Sequence, residues 1–339
     1  MQRRIQSRIK PEWADQSVLD FLAGRFTYHQ AGEWAEIIKA NHVLLNGSAT
    51  TAASFLKAGD LLDYTAFDTP EPFVNLDVQI IHDDDDIMVV NKPPNLPCHP
   101  GGRYFNHTLW AVLKTTFDLA APALVNRIDR ETSGLVIVAK HERAARICHT
   151  QFAHRKVTKH YIALVEGLFP ETLEAVGQMS PDLVSGVHKR RQFTLTHDAN
   201  PTETGTNAGP LRAETTFRGL AHHQGLSLVE AVPRTGRLHQ IRATLHALGF
   251  PVVGDKLYGP DPAMFLRFCT DTLSAEDRLR LRMNRQALHA VSLELRHPHD
   301  GRAVRYEAPP PDDMLSLMGH MAAALPIRSA PQTGRPSRG

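Results

Sequence analysis

The chain has 339 residues, 42% of them apolar, which is enough to bury one large core and one small one. Its formal net charge is only +2, but residues 126–339 carry 28 basic and 21 acidic side chains, and this local excess favours a polyanionic partner. Three widely spaced cysteines argue against a disulfide framework or a Cys-x-x-Cys metal motif, and without an apolar leader or a run of 18 apolar residues we expect a cytoplasmic protein with no membrane span.

Residues 15–68 predict a small module of two amphipathic helices and a hairpin, preceded by an N-terminal extension, residues 1–14. Apolar residues recur every three to four positions in the helical part, and Asn46-Gly47 after an apolar run indicates a tight turn. This arrangement resembles the S4 domain, a small RNA-binding module. Acidic and basic residues balance in it, so the alternative of a structural cap with little RNA affinity stays open. Residues 65–75 read as a linker.

The next segment predicts a strand, a tight acidic turn and a second strand over residues 78–92. The turn contains four consecutive aspartates, Asp83 to Asp86. We interpret them as a solvated turn, because hard cations need spaced ligands. The second strand ends at Lys92, which either contacts a phosphate or caps the strand end.

Residues 126–140 form a charged turn that runs into a continuous apolar strand. Asp129 lies between Arg127 and Arg130, and Thr132 follows. Asp129 is either a turn residue that pairs with one of these arginines, or an ionised carboxylate at the mouth of a site, able to act as a nucleophile or a base. Helices are predicted on both sides, over residues 109–119 and 144–152.

Residues 155–167 predict a basic lead into an alternating strand that contains Tyr161. Residues 170–210 carry the weakest pattern, and Gly205, Asn207, Gly209 and Pro210 within them predict an exposed loop between strands. The basic cluster of this segment, residues 189–191, is either a solvated face, which we slightly favour, or a phosphate contact.

A second block, residues 229–259, predicts a turn at Thr235-Gly236 and a helix over 240–248, so that Arg237 lies near a helix N-terminus, which favours anions. One arginine of this block is expected to pair with Asp129, while His239 and Arg242 face RNA or the core. The histidines lack the spacing of a metal site, and we expect no metal.

These blocks are similar to the motifs His-Arg-Leu-Asp-Arg-x-Thr-Ser-Gly-Leu, Lys-x-Tyr-x-Ala and Thr-Gly-Arg-x-His-Gln-Ile-Arg of the RluA-type pseudouridine synthases. The chain departs from them at Asn126, where many members have His, and at Ile128, where most have Leu. The resemblance implies an α+β catalytic domain over residues 75–311 with a mixed, mostly antiparallel sheet. A C-terminal helix and basic tail, residues 312–339, follow it.

The resemblance further implies isomerisation of uridine to pseudouridine in a structured RNA, without metal or cofactor. It makes Asp129 the catalytic residue, which attacks the ribose or removes a ribose proton to give a glycal. Tyr161 stacks on the flipped base, with a secondary role in taking the leftover proton, and Arg237 is the salt-bridge partner of Asp129. The substrate-binding candidates are Arg127, Arg130, Thr132, Ile241, His239, Arg242 and Lys92.

By analogy with members that carry an S4 unit, the RNA is expected to be ribosomal RNA rather than transfer RNA, and the protein a monomer. One alternative is an RNA-binding assembly factor of the same fold that has lost catalysis, which Asn126 and the charge-balanced module motivate. Another is a metal-dependent RNA hydrolase, which would need a ligand cluster that the sequence does not offer.

Overall fold

The computed structural model describes residues 3–26, 29–66, 71–185, 187, 189–196 and 209–326. It divides the chain into two units, residues 1–73 with 99–111 and residues 74–98 with 112–339. The predicted basic tail beyond residue 326 lies outside the described residues. Within them, no helix is both long enough and apolar enough to span a bilayer.

The first unit contains a four-stranded antiparallel sheet among its described residues, with strand order β1-β4-β2-β3. Its elements are β1 (Arg3–Arg8), a short three-ten helix (Pro11–Trp13), α1 (Val18–Arg25), α2 (Ala31–Lys39), β2 (Val43–Leu45), β3 (Ser48–Ala49) and β4 (Leu61–Ala66). The two predicted helices and the hairpin are confirmed. Asn46 and Gly47 have φ values of 52° and 82°, the left-handed pair that a type I′ hairpin turn requires.

The predicted N-terminal extension is wrong, because its first residues belong to the sheet. β1 pairs with β4 along six residues, from Arg3 opposite Ala66 to Arg8 opposite Leu61. This pairing satisfies the backbone groups along one side of β4, which would otherwise form an unpaired edge. The predicted catalytic boundary at residue 75 also needs correction, since residues 99–111 return to the first unit.

The remaining described elements complete the α+β architecture that the sequence predicts. In chain order they are β5 (Gln79–Asp83), β6 (Ile87–Lys92), α3 (Leu109–Thr115), β7 (Ala123–Leu124), β8 (Ser133–Ala139), α4 (Glu142–Ala153), β9 (Thr158–Glu166), β10 (Thr172–Pro181), β11 (Arg191–Leu195), β12 (Leu211–His223), β13 (Leu226–Pro233), α5 (Gln240–Ala247), α6 (Met264–Cys269), α7 (Ala275–Leu281), β14 (Leu288–Arg296), β15 (Ala303–Glu307), α8 (Asp312–Met318) and a three-ten helix (Gly319–Ala324).

The described strands of the second unit form a sheet of order β11-β10-β12-β13-β9-β14-β8-β6-β5, with β15 on β14 and β7 on β8. Its β14–β8 pair is parallel, and its other described pairs are antiparallel. The exposed loop predicted around Gly205, Asn207, Gly209 and Pro210 lies mostly outside the described residues, and the described stretch before it holds β10 and β11. Ala175, Gly177 and Met179 alternate inward along β10, but small residues hide this period in the sequence.

β8 is buried along its whole length between β6 and β14. It starts at a close approach of two backbones. Gly134 has a φ of 114°, and a Cβ there would lie 2.3 Å from the carbonyl oxygen of Ala290 on β14. Glycine therefore fits this position, whereas a larger residue would push apart the strands that carry the Asp129 loop.

Candidate active site

Asp129 lies in the turn that feeds β8, where its carbonyl oxygen accepts the N–H of Thr132 at 3.2 Å. Its side chain is 27% exposed at a pocket formed by the Asp129 turn, β9, and the stretch from the end of β13 into α5, with Leu288 of β14 completing the lining. Predicted site residues from all three segments line this pocket: Arg127, Asp129, Thr132, Tyr161, Arg237, His239, Ile241 and Arg242.

Arg242 holds the carboxylate of Asp129. Its Nη1 donates to Oδ2 of Asp129 at 2.8 Å, and its Nε and Nη2 bind both oxygens of the fully buried Asp255 at 2.6 and 2.9 Å. Burial opposes ionisation of Asp129, but the adjacent guanidinium outweighs it, and the pKa of Asp129 lies below its usual range. The pocket thus contains an ionised carboxylate.

The predicted salt bridge between Arg237 and Asp129 is wrong, because Arg242 makes it. Arg237 precedes α5, and its Nε donates to the carbonyl oxygen of Arg212. Arg242 lies in the first turn of α5 and is buried, so it serves the two carboxylates instead of reaching out to RNA. The expectation that one arginine of this block pairs with Asp129 is confirmed.

Two predicted substrate contacts lie elsewhere. Lys92 is fully buried, and its Nζ donates to the carbonyl oxygens of Pro93 and Arg130 at 2.8 and 3.2 Å. Burial lowers the pKa of Lys92 to about 8. The phosphate-contact interpretation is therefore wrong, and the strand-end cap describes Lys92 better. Arg130 does not line the pocket; it pairs with Glu131 and lies 5.7 Å from the ring of Phe268.

Asn126, the departure from the family motif, anchors the Asp129 turn to β8. Its Nδ2 donates to the carbonyl oxygen of Leu135 at 3.2 Å, and its Oδ1 accepts the N–H of Ile137 at 2.8 Å. Thr132 is fixed in a similar way, since its Oγ1 accepts a hydrogen bond from Gln286 at 2.6 Å. These contacts hold the turn before any substrate binds.

Tyr161 and Ile241 supply the apolar walls of the pocket. Tyr161 lies on β9 between Ala231 of β13 and Ala290 of β14, and Ile241 is 7% exposed. Burial raises the pKa of the Tyr161 hydroxyl, so the ring is a neutral phenol at neutral pH. A neutral phenol is a poor proton acceptor, which argues against the secondary role expected for Tyr161.

His239 faces the other oxygen of Asp129. Its Nε2 lies 3.9 Å from Oδ1 of Asp129, and its Nδ1 is 3.0 Å from the hydroxyl of Tyr258. Burial, together with the charge of Arg242, lowers the pKa of His239 to about 4, so the imidazole is neutral at pH 7.

The basic cluster, residues 189–191, contacts the same tyrosine: Arg190 pairs with Asp182 and lies 5.4 Å from the Tyr258 ring. The solvated-face interpretation is therefore wrong for Arg190.

Lys159 lines the pocket, although sequence reasoning did not select it. Its Nζ donates to the carbonyl oxygen of Thr235 at 3.3 Å, and burial lowers the pKa of Lys159 to about 8. The sequence does contain a signal for Lys159: residues two positions apart on a strand share a face, and Lys159 lies two residues before Tyr161.

The acidic turn is confirmed, but it is not simply solvated. Among the described residues, one group of potential metal ligands is present: His82, Asp84 and His297. Nδ1 of His297 accepts the N–H of His299, so its Nε2 carries the proton that binds Asp84 at 2.9 Å. Coordination through Nε2 would have to displace that proton, and we therefore interpret the group as a hydrogen-bonded turn. It does not line the Asp129 pocket.

Comparison with known proteins finds a family model and several relatives that match this chain. The family described as RNA pseudouridylate synthase matches residues 86–247. The ribosomal large subunit pseudouridine synthase D of Xanthomonas campestris pv. campestris is 31% identical over 312 residues, which cover 89% of this chain and 87% of that protein. The mitochondrial tRNA pseudouridine(32) synthase of Saccharomyces cerevisiae is 31% identical, over 74% of this chain and 52% of that protein.

A solved structure shares the fold. Human RNA pseudouridylate synthase domain containing 1 superposes with a TM-score of 0.54 at 27% identity, covering 71% of this chain and 86% of that one. The matched family region includes the Asp129 turn and most of the pocket lining.

Proposed function

This chain belongs to the RNA pseudouridylate synthase family, whose members isomerise uridine to pseudouridine in RNA, and from that premise we propose that Asp129 initiates the isomerisation of a uridine bound in its pocket. The observation that carries the proposal is the pairing of Asp129 with Arg242, which keeps the carboxylate ionised in a partly buried pocket. An anionic carboxylate can attack C1′ of the ribose or remove a proton from C2′, and both routes stay open.

The rest of the pocket supports binding of an extruded nucleotide. The ring of Tyr161 offers a flat partner for the flipped base, a contact worth roughly 1–3 kcal/mol for base–aromatic stacking. Arg127 and Lys159 offer positive charge to the flanking phosphates. Hydrogen bonds to β8 and to Gln286 hold the Asp129 turn in advance, which lowers the cost of positioning the carboxylate.

We propose ribosomal RNA as the substrate, with the protein acting in the cytoplasm as a monomer. The near full-length match to a synthase named for the large ribosomal subunit and the S4-like first unit both support ribosomal RNA as the substrate. Because the chain is also similar to a tRNA pseudouridine synthase, transfer RNA is a second substrate that the experiment must examine. The assembly-factor alternative loses one of its two motives, because the amide of Asn126 is engaged with β8, and the pocket still contains Asp129 and Tyr161.

Carbodiimide-stopped primer extension tests the proposal on total RNA from cells that lack the gene, regain it, or regain it as Asp129→Asn. We expect one stop, in ribosomal RNA, to vanish on deletion and to return only with the wild-type gene. Asn keeps the shape of the side chain but removes its charge, so it separates chemistry from folding. A stop in a tRNA would change the substrate and keep the activity. No altered stop, with retained RNA binding, would favour the assembly-factor alternative.

A further inference from the structure

Tyr258 contacts both Arg191, the first residue of β11, and His239, which lines the pocket. The backbone N–H of Arg191 donates to the Tyr258 hydroxyl oxygen at 2.8 Å, and Nδ1 of His239 lies 3.0 Å from the same oxygen. Tyr258 is 1% exposed, and burial raises the pKa of its phenol to about 12, so the hydroxyl keeps its hydrogen.

That hydroxyl hydrogen needs an acceptor, because buried polar groups are almost always hydrogen-bonded. Among the described contacts of this oxygen, Arg191 offers a donor and His239 offers an acceptor nitrogen. The hydroxyl therefore donates to Nδ1. A neutral imidazole that accepts at Nδ1 carries its proton on Nε2. His239 thus presents an N–H toward Oδ1 of Asp129, 3.9 Å away, and into the pocket.

The backbone supports a functional role for this arrangement. His239 is the N-cap residue of α5 and has a φ of 58°, a left-handed conformation that residues other than glycine seldom adopt. Its carbonyl oxygen accepts the N–H of Ala243, so the strained residue is fixed to the first turn of the helix. The anchored backbone and the contact of Nδ1 with the Tyr258 hydroxyl together fix the direction of the imidazole.

We infer that His239, a neutral donor whose tautomer is fixed by Tyr258, gives a hydrogen bond from Nε2 to a carbonyl oxygen of the uracil as the base leaves the ribose. This inference rests on the proposed function. When the bond between N1 and C1′ breaks, the electron pair stays on the uracil and its charge spreads over N1, O2 and O4. The Nε2–H group stabilises that charge and keeps its own proton.

The proton balance does not involve His239. After the uracil turns, C5 bonds to C1′ while the ester bond between Asp129 and C1′ breaks, or while Asp129 returns its proton to C2′ of the glycal. C5 then loses a proton to water and N1 gains one, so the isomerisation is neutral overall. A protonated imidazole would instead pair with Asp129 and withdraw the negative charge that the first step needs. A neutral, pre-aimed donor avoids that cost, and removing such a donor slows other enzymes by about 10² to 10³.

Single-turnover rates on a target RNA with uridine, 2-thiouridine or 4-thiouridine at the modified position test the contact, because sulfur accepts hydrogen bonds more weakly than oxygen. We expect His239→Ala to lower the uridine rate by about 10²-fold with RNA affinity within threefold of wild type. One of the two thio substitutions should lower the wild-type rate and should cause no further decrease in the rate of His239→Ala. His239→Gln restores an N–H donor and should recover part of the rate.

Tyr258→Phe removes the fixing hydroxyl and should slow the reaction about fivefold. Its matched control is Tyr306→Phe, which removes another buried tyrosine hydroxyl and should change nothing. Circular dichroism of each variant confirms folding. Equal thio effects in wild type and His239→Ala would overturn the contact and leave His239 only as a neighbour of Asp129.

A second measurement does not depend on activity. The ¹⁵N shifts of the His239 ring at pH 7 should report a neutral Nε2–H tautomer in the wild type and a mixture in Tyr258→Phe. An imidazolium or an Nδ1–H tautomer in the wild type would overturn the inference even if the enzyme is active. A wild-type protein that modifies no RNA would overturn the proposed function, and with it the catalytic contact, whatever the ring shifts are.

Discussion

At the scale of single residues, the site depends on buried groups whose charge is set by their neighbours. Arg242 keeps its charge because Asp129 and Asp255 surround it. Burial instead lowers the pKa values of His239 and Lys159 and favours their neutral forms. One pocket therefore holds an ionised carboxylate, a neutral imidazole and a lysine whose pKa is lowered to about 8. In the proposed reaction, the carboxylate acts on the ribose, the imidazole donates a hydrogen bond to the uracil, and the lysine attracts an RNA phosphate.

Lys159 gives the pocket a pH dependence of its own. Because its pKa is lowered to about 8, Lys159 is charged below that pH and loses its attraction for phosphate as the pH rises through it. We expect kcat/KM to fall between pH 7 and pH 9. In Lys159→Gln, kcat/KM should be about fivefold lower at pH 7, equivalent to roughly 1 kcal/mol. The variant should also lack the part of the decrease between pH 7 and pH 9 that deprotonation of Lys159 causes.

The comparison of these two profiles removes the titration of the uridine, which both enzymes share. Lys140→Gln is a matched control, since Lys140 pairs with Asp83 and lies outside the pocket lining. Its profile should follow the wild type. If Lys159→Gln also follows the wild type, Lys159 does not contact the RNA.

At the scale of elements, the C-terminal helix α8 belongs to the catalytic unit rather than to a separate tail. Met314 and Met318 are fully buried in its core. Asp313 binds Nε and Nη2 of Arg285 at 2.7 Å each, and Nη1 of Arg285 donates to the carbonyl oxygen of Glu131 at 3.3 Å. Because Glu131 is two residues after Asp129, α8 supports the Asp129 turn from behind.

Asp313→Asn should weaken this support without touching the pocket. Arg285 would lose its charged partner, and we expect kcat to fall about fivefold with KM within twofold, because small shifts of a reacting group cost rate more than binding. Steady-state kinetics on the target RNA measure both constants. Asp312→Asn, on the neighbouring residue of the same helix turn, is the control. Equal losses in the two variants would show a general effect on α8 instead.

At the scale of the whole molecule, each unit has its own apolar core. Leu22 is fully buried in the cluster of the first unit, and Leu164 is fully buried in the main cluster of the second. All three tryptophans, Trp13, Trp34 and Trp110, belong to the first unit. Tryptophan fluorescence therefore reports that unit, whereas far-UV circular dichroism is dominated by the strands of the second.

We expect the two signals to separate in denaturant. Leu22→Ala removes a buried side chain at a cost of about 2–5 kcal/mol and should shift the fluorescence transition to lower denaturant while the circular dichroism transition stays. Leu164→Ala should do the reverse. If either variant shifts both transitions equally, the chain unfolds as one cooperative unit.

The sequence by itself determined the helices, most strands and the family, because these depend on local periodicity, turn chemistry and short contiguous motifs. Asn46-Gly47 and the strand after Asp129 are examples. It also brought Asp129, Tyr161 and the block around His239 into one predicted site, since their motifs are separate in the chain but shared by one family.

Only the tertiary structure decided which groups meet. Arg242, rather than Arg237, pairs with Asp129 because the position of α5 against the Asp129 turn sets that contact across 113 residues. Lys92 can be buried because its ammonium group donates hydrogen bonds to the carbonyl oxygens of Pro93 and Arg130. Contacts of this kind depend on strand register and on burial, which are properties of the packed sheet and leave no local pattern in the chain.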